Sequence, residues 1–242
     1  MAKTAAILLI GNEILSGKIA DANAVYLCRE LRRLGVEVRR ITVIPDEVDV
    51  IAAEVAAFSL AYDVVFTSGG VGPTHDDVTI EGVAKALGVP VVRHPVLVDL
   101  LRGFYRGGLN EARLKMAGVP EGAELVGADV VVFPAIVMGN VYILPGVPEI
   151  FRQKFEALRE RFRDEPIHLR NVFVSLSEGT LAEFLNELLR LYPTLMLGSY
   201  PEFSNPEYKV KVTLESRDEA YLAQALEEFL ARLPRSAVVR VD

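Results

Sequence analysis

The fold of this chain is decided by the stretch Thr67-Ser68-Gly69-Gly70-Val71-Gly72-Pro73-Thr74-His75-Asp76-Asp77-Val78-Thr79. An apolar run at 63–66 precedes it and predicts a buried strand, and a helical pattern at 79–87 follows it. The stretch is therefore predicted to be a strand-to-helix turn of an α/β protein. Its three glycines within four residues let the backbone turn sharply and expose N–H groups, and the helix start adds partial positive charge. Such a turn suits a phosphate.

The same turn carries two adjacent carboxylates, Asp76 and Asp77. Carboxylates repel a phosphate unless a cation lies between them, so the pattern predicts a nucleotide-like ligand together with a divalent metal, Mg²⁺ or a similar ion. Because adjacent side chains cannot both point into one site, we expect one aspartate to cap the following helix and the other to contact the ligand. His75 is expected on the surface, since it has no partner at a metal-ligand spacing.

Length and composition are typical of a globular protein. The chain has 242 residues, 51% of them hydrophobic and 24% charged, which is enough to bury a core in one or two domains. Apolar runs fall short of the ~18 residues of a membrane helix, and the N-terminal run is too short for a signal peptide, so we expect a cytoplasmic protein without a membrane contact. The net charge of −7 disfavours nucleic acid as a partner.

Apolar strands alternate with amphipathic helices through the first part of the chain, which predicts a parallel sheet covered on both faces. The predicted elements are strands at 5–10, 37–43 and 64–67, and helices at 21–34, 48–60, 79–87, 95–106 and 110–117. Strands at 129–134 and 141–144 flank Met138-Gly139-Asn140 and predict a hairpin at the sheet edge. A helix at 149–162 follows.

The remaining residues follow a different order. Strands at 168–175, 194–200, 208–216 and 237–241, with helices at 178–192 and 218–233, predict the β-α-β-β-α-β order of a ferredoxin-like unit. We therefore expect an α/β domain over residues 1–165 and a small βαββαβ α+β domain over residues 166–242. The small domain lacks the sequence motifs of RNA-binding sheets, so a lid, spacer or oligomerisation role is expected for it.

A second loop, Gly11-Asn12-Glu13-Ile14-Leu15-Ser16-Gly17-Lys18, follows the first predicted strand. It does not match a P-loop, because five residues separate its glycines where that motif has four, and Ile19 replaces the Ser or Thr that binds magnesium. We expect the loop to contribute Glu13, Ser16 and the backbone of Gly11 and Asn12 to a ligand site.

Three acids, Glu13, Asp46 and Asp77, follow the first three predicted strands. Because the carboxyl ends of parallel strands meet at one edge of a sheet, where such folds bind ligands, these acids are expected to converge there. Asp46 has an alternative role as the cap of the helix that begins near Val48.

Two further features are assigned to the same edge. Lys115 is either a phosphate contact or a solvated charge. The rigid turn Pro145-Gly146-Val147-Pro148 precedes a helix whose N-terminus is expected to point toward the glycine-rich turn.

The motifs together resemble the CinA-type branch of the molybdopterin-binding superfamily, which also includes the MogA and MoaB adenylyltransferases. They are Gly11-Asn12-Glu13-Ile14-Leu15-Ser16-Gly17, Asp21-Ala22-Asn23, the turn from Ser68 to Thr79, and Leu144-Pro145-Gly146-Val147-Pro148-Glu149, within about the first 160 residues. The resemblance implies a doubly wound, mostly parallel α/β/α sheet of the molybdopterin-binding type that binds a pterin phosphate or a nucleotide at the glycine-rich turn. It also implies essential carboxylates at Asp46 and Asp77.

Resemblance to the CinA branch further implies divalent-metal-dependent hydrolysis of pyrophosphates such as ADP-ribose or FAD, an activity also associated with the similar domain fused to eukaryotic FAD synthases. The amidase domain that often follows in this family is not expected, because the sequence stops at Asp242. A departure from the family lies at 131–138, where Val-Val-Phe-Pro-Ala-Ile-Val-Met replaces a Gly-x-Ala-Pro-Gly-like loop. We expect one wall of the pocket to be unusually apolar.

Three functions follow from these patterns. In the first, a pyrophosphatase, Asp46, Asp77 and Glu13 hold the metal while the amides of 69–72 and Lys115 bind the phosphates. The second is molybdopterin binding with adenylyl transfer in molybdenum-cofactor biosynthesis. The third is a non-catalytic pterin- or nucleotide-binding module whose small domain drives assembly. A closed homodimer is the expected oligomer.

Overall fold

The structure is a computed structural model that describes residues 3–127 and 133–242. The described chain divides between Asp164 and Glu165 into two compact units. Most of the predicted strand at 129–134 lies outside the described residues.

The first unit contains both of the loops that the sequence singles out. Its strands are β1 (Thr4–Ile10), β2 (Glu37–Ile44), β3 (Val64–Ser68), β4 (Val91–Arg93), β5 (Gly118–Pro120), β6 (Glu124–Val126), β7 (Ala135–Met138) and β8 (Val141–Leu144). Its helices are α1 (Asn12–Leu15), α2 (Asn23–Arg33), α3 (Val48–Ala61), α4 (Thr79–Ala86), α5 (Pro95–Tyr105), α6 (Glu111–Lys115) and α7 (Pro148–Leu158).

The main sheet of this unit has the strand order β2-β1-β3-β8-β7-β6. The strands from β2 to β8 in that order run parallel. Strand β7 pairs antiparallel with β8, and β6 pairs antiparallel with β7. Strands β4 and β5 form a separate antiparallel pair. The mostly parallel, doubly wound α/β sheet predicted from the sequence is confirmed.

Apolar side chains cover both faces of the sheet, because successive side chains of each central strand point to opposite faces and both sets are apolar. Leu8 packs in one core cluster with Val55 and Val83 of the helices on that face. Ile7, its neighbour in β1, packs in the other cluster with Phe155 of α7. A strand that is buried on both faces needs a continuous apolar run, which β1 provides. This packing fixes the strand ends, from which the loops of the candidate site emerge.

The hairpin is placed differently from the prediction. Strands β7 and β8 do flank the Gly139-Asn140 turn, but β8 lies between β3 and β7 and pairs in parallel with β3, so the hairpin is not at the sheet edge. Val141, Ile143 and Leu144 of β8 are all almost fully buried, and an edge position would leave part of this apolar surface in water. Strand β6 takes the edge instead.

Several short elements were not predicted, namely α1, β4, β5 and β6. Each has three or four residues, which is too short to establish a hydrophobic period. The helix predicted at 110–117 is also shorter than expected and covers Glu111–Lys115.

The second unit has the βαββαβ order predicted from the sequence. It consists of β9 (His168–Val174), α8 (Glu178–Leu191), β10 (Met196–Pro201), β11 (Val210–Ser216), α9 (Glu219–Arg232) and β12 (Val238–Val241). The sheet is antiparallel in the order β10-β11-β9-β12. Its own core includes Val172, Leu188 and Phe229.

Within residues 3–127 and 133–242, no helix has the length and apolar character that crossing a bilayer requires.

Candidate functional site

The glycine-rich turn after β3 is held between the ends of two neighbouring strands. The N–H of Gly69 donates to the carbonyl oxygen of Leu144 at 3.2 Å. Gly69 has a φ of 109°, and a Cβ atom at this position would lie 2.1 Å from the carbonyl oxygen of Ile10. Only glycine therefore permits this approach of the turn to the end of β1.

Thr79, the first residue of α4, closes the turn. Its hydroxyl donates to the carbonyl oxygen of Gly69 and its backbone N–H donates to that of Gly70, both at 2.9 Å. Thr79 is fully buried. Gly70 has a φ of 64°, and a Cβ atom there would lie 2.3 Å from the Thr79 hydroxyl oxygen. These bonds hold the intervening backbone in one conformation.

Three successive backbone N–H groups of the turn are left without an internal acceptor. Within the described residues, those of Gly70, Val71 and Gly72 make no hydrogen bond. Helix α4 begins immediately after the turn, and its N-cap residue, Val78, provides no side-chain cap. Unpaired amides beside a helix N-terminus form an anion-binding concavity.

The two aspartates of the turn take different positions. Asp77 is partly buried, and its Oδ2 atom accepts hydrogen bonds from the N–H of Thr74 at 2.8 Å and from the Thr74 hydroxyl. A Cβ atom on Gly72 would lie 2.7 Å from the same Oδ2 atom, so the carboxylate lies against the glycine-rich backbone.

Neither aspartate caps α4, so the expectation that one of them would do so is wrong. The side chain of Asp76 is 56% exposed.

A cavity of about 610 Å³, hereafter the main cavity, lies at the carboxyl edge of the parallel strands. Its volume is in the range of pockets that bind small ligands. Many of the predicted site residues line it: Glu13, Ser68, Gly69, Gly70, Val71, Gly72, Pro73, Asp77, Pro145, Gly146 and Pro148. The glycine-rich turn and the Pro145–Pro148 turn touch each other, since a Cβ atom on Gly146 would lie 3.4 Å from the Cα atom of Gly69.

Asp46 does not line this cavity, which corrects the expectation that it converges with the other acids. Its Oδ2 atom accepts a hydrogen bond from the N–H of Asn12 at 2.8 Å, and the N–H of Gly11 donates to the carbonyl oxygen of Ile44 at 3.1 Å. Asp46 does not cap α3 either, because its N-cap residue is Glu47 and makes no side-chain bond. Asp46, Gly11 and Asn12 thus fix the loop that carries Glu13.

Three other predicted residues also lie outside the main cavity. Ser16 is exposed and its hydroxyl donates to the carbonyl oxygen of Glu13. Thr74 donates two hydrogen bonds to the carboxylate of Asp77. The Nζ atom of Lys115 donates to the carbonyl oxygen of Thr74 at 3.0 Å and lies 3.7 Å from Glu81. The ammonium group of Lys115 therefore contacts the glycine-rich turn at Thr74 and the carboxylate of Glu81.

The predicted three-acid metal site is not assembled. No group of three or more His, Cys, Asp or Glu side chains that could hold an ion occurs in residues 3–127 and 133–242. Asp46 lies outside the main cavity that Glu13 and Asp77 line. Glu13 and Asp77 still line one cavity, and Mg²⁺ is commonly bound by one or two carboxylates together with substrate phosphates. Glu13 and Asp77 are therefore the two expected metal ligands that line this cavity.

Asn23 is a cavity residue that the sequence did not assign to the site. It is 3% exposed, and its Nδ2 atom donates to the hydroxyl of Ser68 at 2.9 Å and to the carbonyl oxygen of Gly146 at 2.8 Å. Its Oδ1 atom is buried without a partner in the described structure. The sequence signal for it was the motif Asp21-Ala22-Asn23, to which no role was assigned. Asp21 of this motif accepts from the N–H groups of residues 23 and 24.

The mouth of the main cavity is apolar. Ile19, Val147 and Ile150 line it and keep 58%, 52% and 44% of their surface exposed. Exposed apolar groups around a cavity suit a planar ring. The apolar wall expected at 131–138 falls partly on residues outside the described ranges, and it is not assigned to this cavity.

Comparison with known proteins identifies the family. Residues 6–164 match the family model described as a probable molybdopterin binding domain. The chain belongs to this molybdopterin-binding family. Residues 166–242 match a second model, the middle domain of FAD synthase.

Individual relatives agree with this assignment. A protein of Archaeoglobus fulgidus is 39% identical over 223 residues, covering 92% of this chain and 95% of that protein. A probable FAD synthase of Caenorhabditis elegans is 35% identical over 242 residues, covering 88% of this chain but only 47% of that protein, so the chain spans about half of its length.

A solved structure of CinA from Thermoplasma acidophilum, of unknown function, has 33% identity and a TM-score of 0.61. It covers 67% of this chain and 100% of that one. The resemblance to the CinA branch is confirmed.

Proposed function

We propose that this protein is a nucleotide pyrophosphatase that cleaves a nucleoside-diphosphate compound such as FAD or ADP-ribose between its two phosphates. One observation carries the proposal: three unpaired backbone N–H groups, at residues 70–72, adjoin the carboxylate of Asp77 at the wall of a cavity of about 610 Å³. A phosphate site directly beside an acid is the arrangement that metal-assisted phosphoryl chemistry needs.

The backbone binds the phosphates. The N–H groups of Gly70, Val71 and Gly72 donate to phosphate oxygens, and the buried Thr79 holds the turn in place. Helix α7 adds a second N-terminus at the cavity, since its N-cap residue, Val147, lines the cavity and makes no side-chain cap. Both helix ends favour negative charge.

Glu13 and Asp77 would hold a divalent metal together with the substrate. Such an ion, when bound, supplies positive charge that polarises a phosphoryl oxygen. Thr74 orients the Asp77 carboxylate through two hydrogen bonds, and Asp46 positions the loop of Glu13 through Asn12. Asp46 is therefore assigned a positioning role in place of the metal-binding role expected from the sequence.

The relatives support a nucleotide substrate. The Caenorhabditis relative is named a probable FAD synthase, and the second unit matches the middle domain of FAD synthase. The apolar mouth formed by Ile19, Val147 and Ile150 is compatible with a flavin or a pterin ring.

A second candidate is adenylyl transfer, which the name of the same relative, a probable FAD synthase, favours. This reaction would use the same phosphate-binding amides and would differ in its acceptor, FMN or molybdopterin instead of water. Incubation with ATP and each acceptor distinguishes the two reactions. Release of inorganic pyrophosphate that depends on the acceptor would support transfer, and its absence alongside AMP release from FAD would support hydrolysis.

The pyrophosphatase proposal is tested with purified protein, FAD or ADP-ribose, and Mg²⁺, Mn²⁺, Co²⁺ or Ni²⁺, with AMP measured by chromatography. Asp77→Asn is expected to lower kcat at least ~100-fold, because it removes a metal-binding charge. Asp76→Asn is the matched control, since its side chain is largely exposed, and it should keep near-normal activity. The absence of AMP with every metal would reject the proposal.

A non-catalytic binding module predicts a different pattern. Asp77→Asn would then leave nucleotide affinity intact or tighten it, because a repelling charge is lost, and the unmodified protein would have no turnover. A turnover that disappears in Asp77→Asn while binding persists would exclude the module.

A further inference from the structure

Helix α5 carries an exposed apolar stripe on the face that points away from the core. Leu97 and Leu101 are almost fully buried and form the inner face of this helix. On the outer face, Val96 and Phe104 keep 47% and 60% of their surface exposed, and Leu100, midway between them, is partly buried. Residues that are four apart lie on the same side of a helix, so these last three side chains form a continuous stripe.

A shallow groove, hereafter the α5 groove, runs along this stripe. It has a volume of about 570 Å³ and is lined by Val96, Asp99, Leu100, Gly103 and Phe104. A Cβ atom on Gly103 would meet nothing within 4 Å, so no contact within the described structure requires glycine there, although glycine inside a helix costs about 1 kcal/mol relative to alanine. The missing side chain leaves room for a second backbone to approach closely.

The ring of Phe104 lies in the wall of the α5 groove and is already held in place. Its centroid lies 5.0 Å from that of Tyr105 and 5.5 Å from that of Phe133, and both contacts are edge-to-face. A side chain that is fixed before binding loses little conformational entropy when a partner covers it. Aromatic side chains of this kind contribute much of the binding energy of protein interfaces.

Two exposed charges of opposite sign lie beside the stripe. Asp99 and Arg102 form an ion pair at 3.1 Å, and their side chains are 73% and 67% exposed. If two copies of α5 pack antiparallel about a two-fold axis at Leu100, Val96 of each copy faces Phe104 of the other. Asp99 of each copy then faces Arg102 of the other. The outer face of α5 is therefore complementary to itself in apolar pattern and in charge.

We propose that the α5 groove is the contact between two copies of this chain, with their α5 helices antiparallel. Such a contact is isologous and closed, which is the commonest arrangement of soluble oligomers. An 11-residue helix has about three turns and buries less surface than the ~1,200–2,000 Å² of stable complexes, so the dimer dissociates in the micromolar range. The α5 groove shares no lining residue with the main cavity, so the dimer forms whether or not the protein is a pyrophosphatase.

Sedimentation velocity of the full chain over a range of micromolar concentrations measures the dimer Kd. Asp99→Arg and Arg102→Asp each bring like charges together across the contact and are expected to raise the Kd at least ~10-fold. An equimolar mixture of the two variants restores opposite charges and should form a heterodimer with a Kd within ~3-fold of that of the unmodified protein. The ion pair within each helix stays broken in this mixture, so helix stability does not account for a recovery.

Phe104→Ala tests the apolar part of the contact and is expected to raise the Kd at least ~10-fold. Phe203→Ala is the matched control, because Phe203 is 96% exposed and lies outside α5, and it should leave the Kd unchanged. Circular dichroism establishes that each variant is folded, and the charge variants provide the test if Phe104→Ala does not fold.

Three outcomes would overturn the proposal. The first is an unmodified protein that stays monomeric at every concentration. The second is a dimer that persists unchanged in the α5 variants, which would place the contact elsewhere. The third is a mixture of Asp99→Arg and Arg102→Asp that stays monomeric like each variant alone.

Discussion

The Oδ2 atom of Asp46 accepts a hydrogen bond from the backbone N–H of Asn12 at 2.8 Å. This bond joins the segment after β2 to the first residue of α1, and Gly11 strengthens the junction by donating to Ile44. Helix α1 has four residues and no side-chain cap from its own N-cap residue. Asp46 thus supplies from a distant part of the chain the acceptor that a capping residue normally supplies locally.

Asp46→Ala is expected to lower the free energy of unfolding by about 1 kcal/mol, the usual cost of losing a cap, whereas Asp46→Asn keeps an acceptor and should cost only a few tenths. Urea denaturation measures both. The positioning role also predicts that Asp46→Asn retains most of the metal-dependent turnover. If Asp46→Asn abolished turnover as completely as Asp77→Asn, Asp46 would have to contact the metal.

Asn23 connects two turns of the site, because its amide donates to both Ser68 and Gly146. Asn23→Ala removes both bonds and should lower the free energy of unfolding by about 1–3 kcal/mol, and it should also weaken FAD binding. The control is Asn140→Ala, which removes two amide bonds to the carbonyl oxygens of Ser59 and Tyr62 away from the cavity. Asn140→Ala is expected to lower the free energy of unfolding by a similar amount and to leave FAD binding unchanged. An equal loss of FAD binding in the two variants would contradict a local role for Asn23.

Alanine substitutions at Gly69 and Gly88 distinguish the energetic cost of a positive φ from the cost of a steric clash. Their φ angles are 109° and 68°, but a Cβ atom would meet the Ile10 carbonyl at 2.1 Å only at Gly69 and would meet nothing within 4 Å at Gly88. Gly88→Ala should therefore cost about 1–2 kcal/mol. Gly69→Ala should cost clearly more and disturb phosphate binding, because the turn must move away from β1. Denaturation curves compare the two, and equal costs would mean that the turn tolerates the displacement.

Lys154 in α7 is partly buried, and its Nζ atom donates to the carbonyl oxygen of Pro134 at 2.9 Å. Burial lowers the pKa of Lys154 to about 8, so the folded state binds its proton less tightly than the unfolded state does. The resulting cost is complete below pH 8 and is relieved as the pH rises toward the ordinary value of 10.5.

Lys154→Met is accordingly expected to stabilise the protein by about 1–2 kcal/mol at pH 7, after the loss of one hydrogen bond is subtracted. The gain should vanish near pH 10.5. Thermal denaturation at pH 7, 9 and 10.5 measures it, with the exposed Lys18→Met as control. A gain that does not depend on pH would show that burial of the charge is not its source.

Local patterns predicted much of the fold. The apolar strands that alternate with amphipathic helices predicted a sheet buried on both faces, and the glycines of 69–72 predicted the turn that adjoins the cavity. These features depend on residues close in sequence, whose periodicity reflects their surroundings directly. The same reasoning could not place β8 inside the sheet, because its pairing with β3 joins segments about 80 residues apart and leaves no local signal.

The candidate site likewise contains a local contact that agrees with the sequence prediction and long-range contacts that the sequence did not predict. Asp77 was expected to contact the ligand and lies at the cavity wall, because it is tied to Thr74 three residues away. Asp46 was expected in the same role and is instead bonded to Asn12 across 34 residues. The role of Asn23 was missed, since its partners Ser68 and Gly146 lie far along the chain. The expected homodimer stays a prediction.

By itself, the sequence determined the succession of the longer strands and helices, the change of order near Asp164, and the position of the glycine-rich turn, because each depends on the spacing of neighbouring residues. Only the tertiary structure decided which acids reach the cavity and which N–H groups of that turn remain unpaired. Residues far apart in the sequence, such as Asp46 and Asn12, become hydrogen-bond partners only when folding brings them together, so these contacts leave no local signal in the sequence.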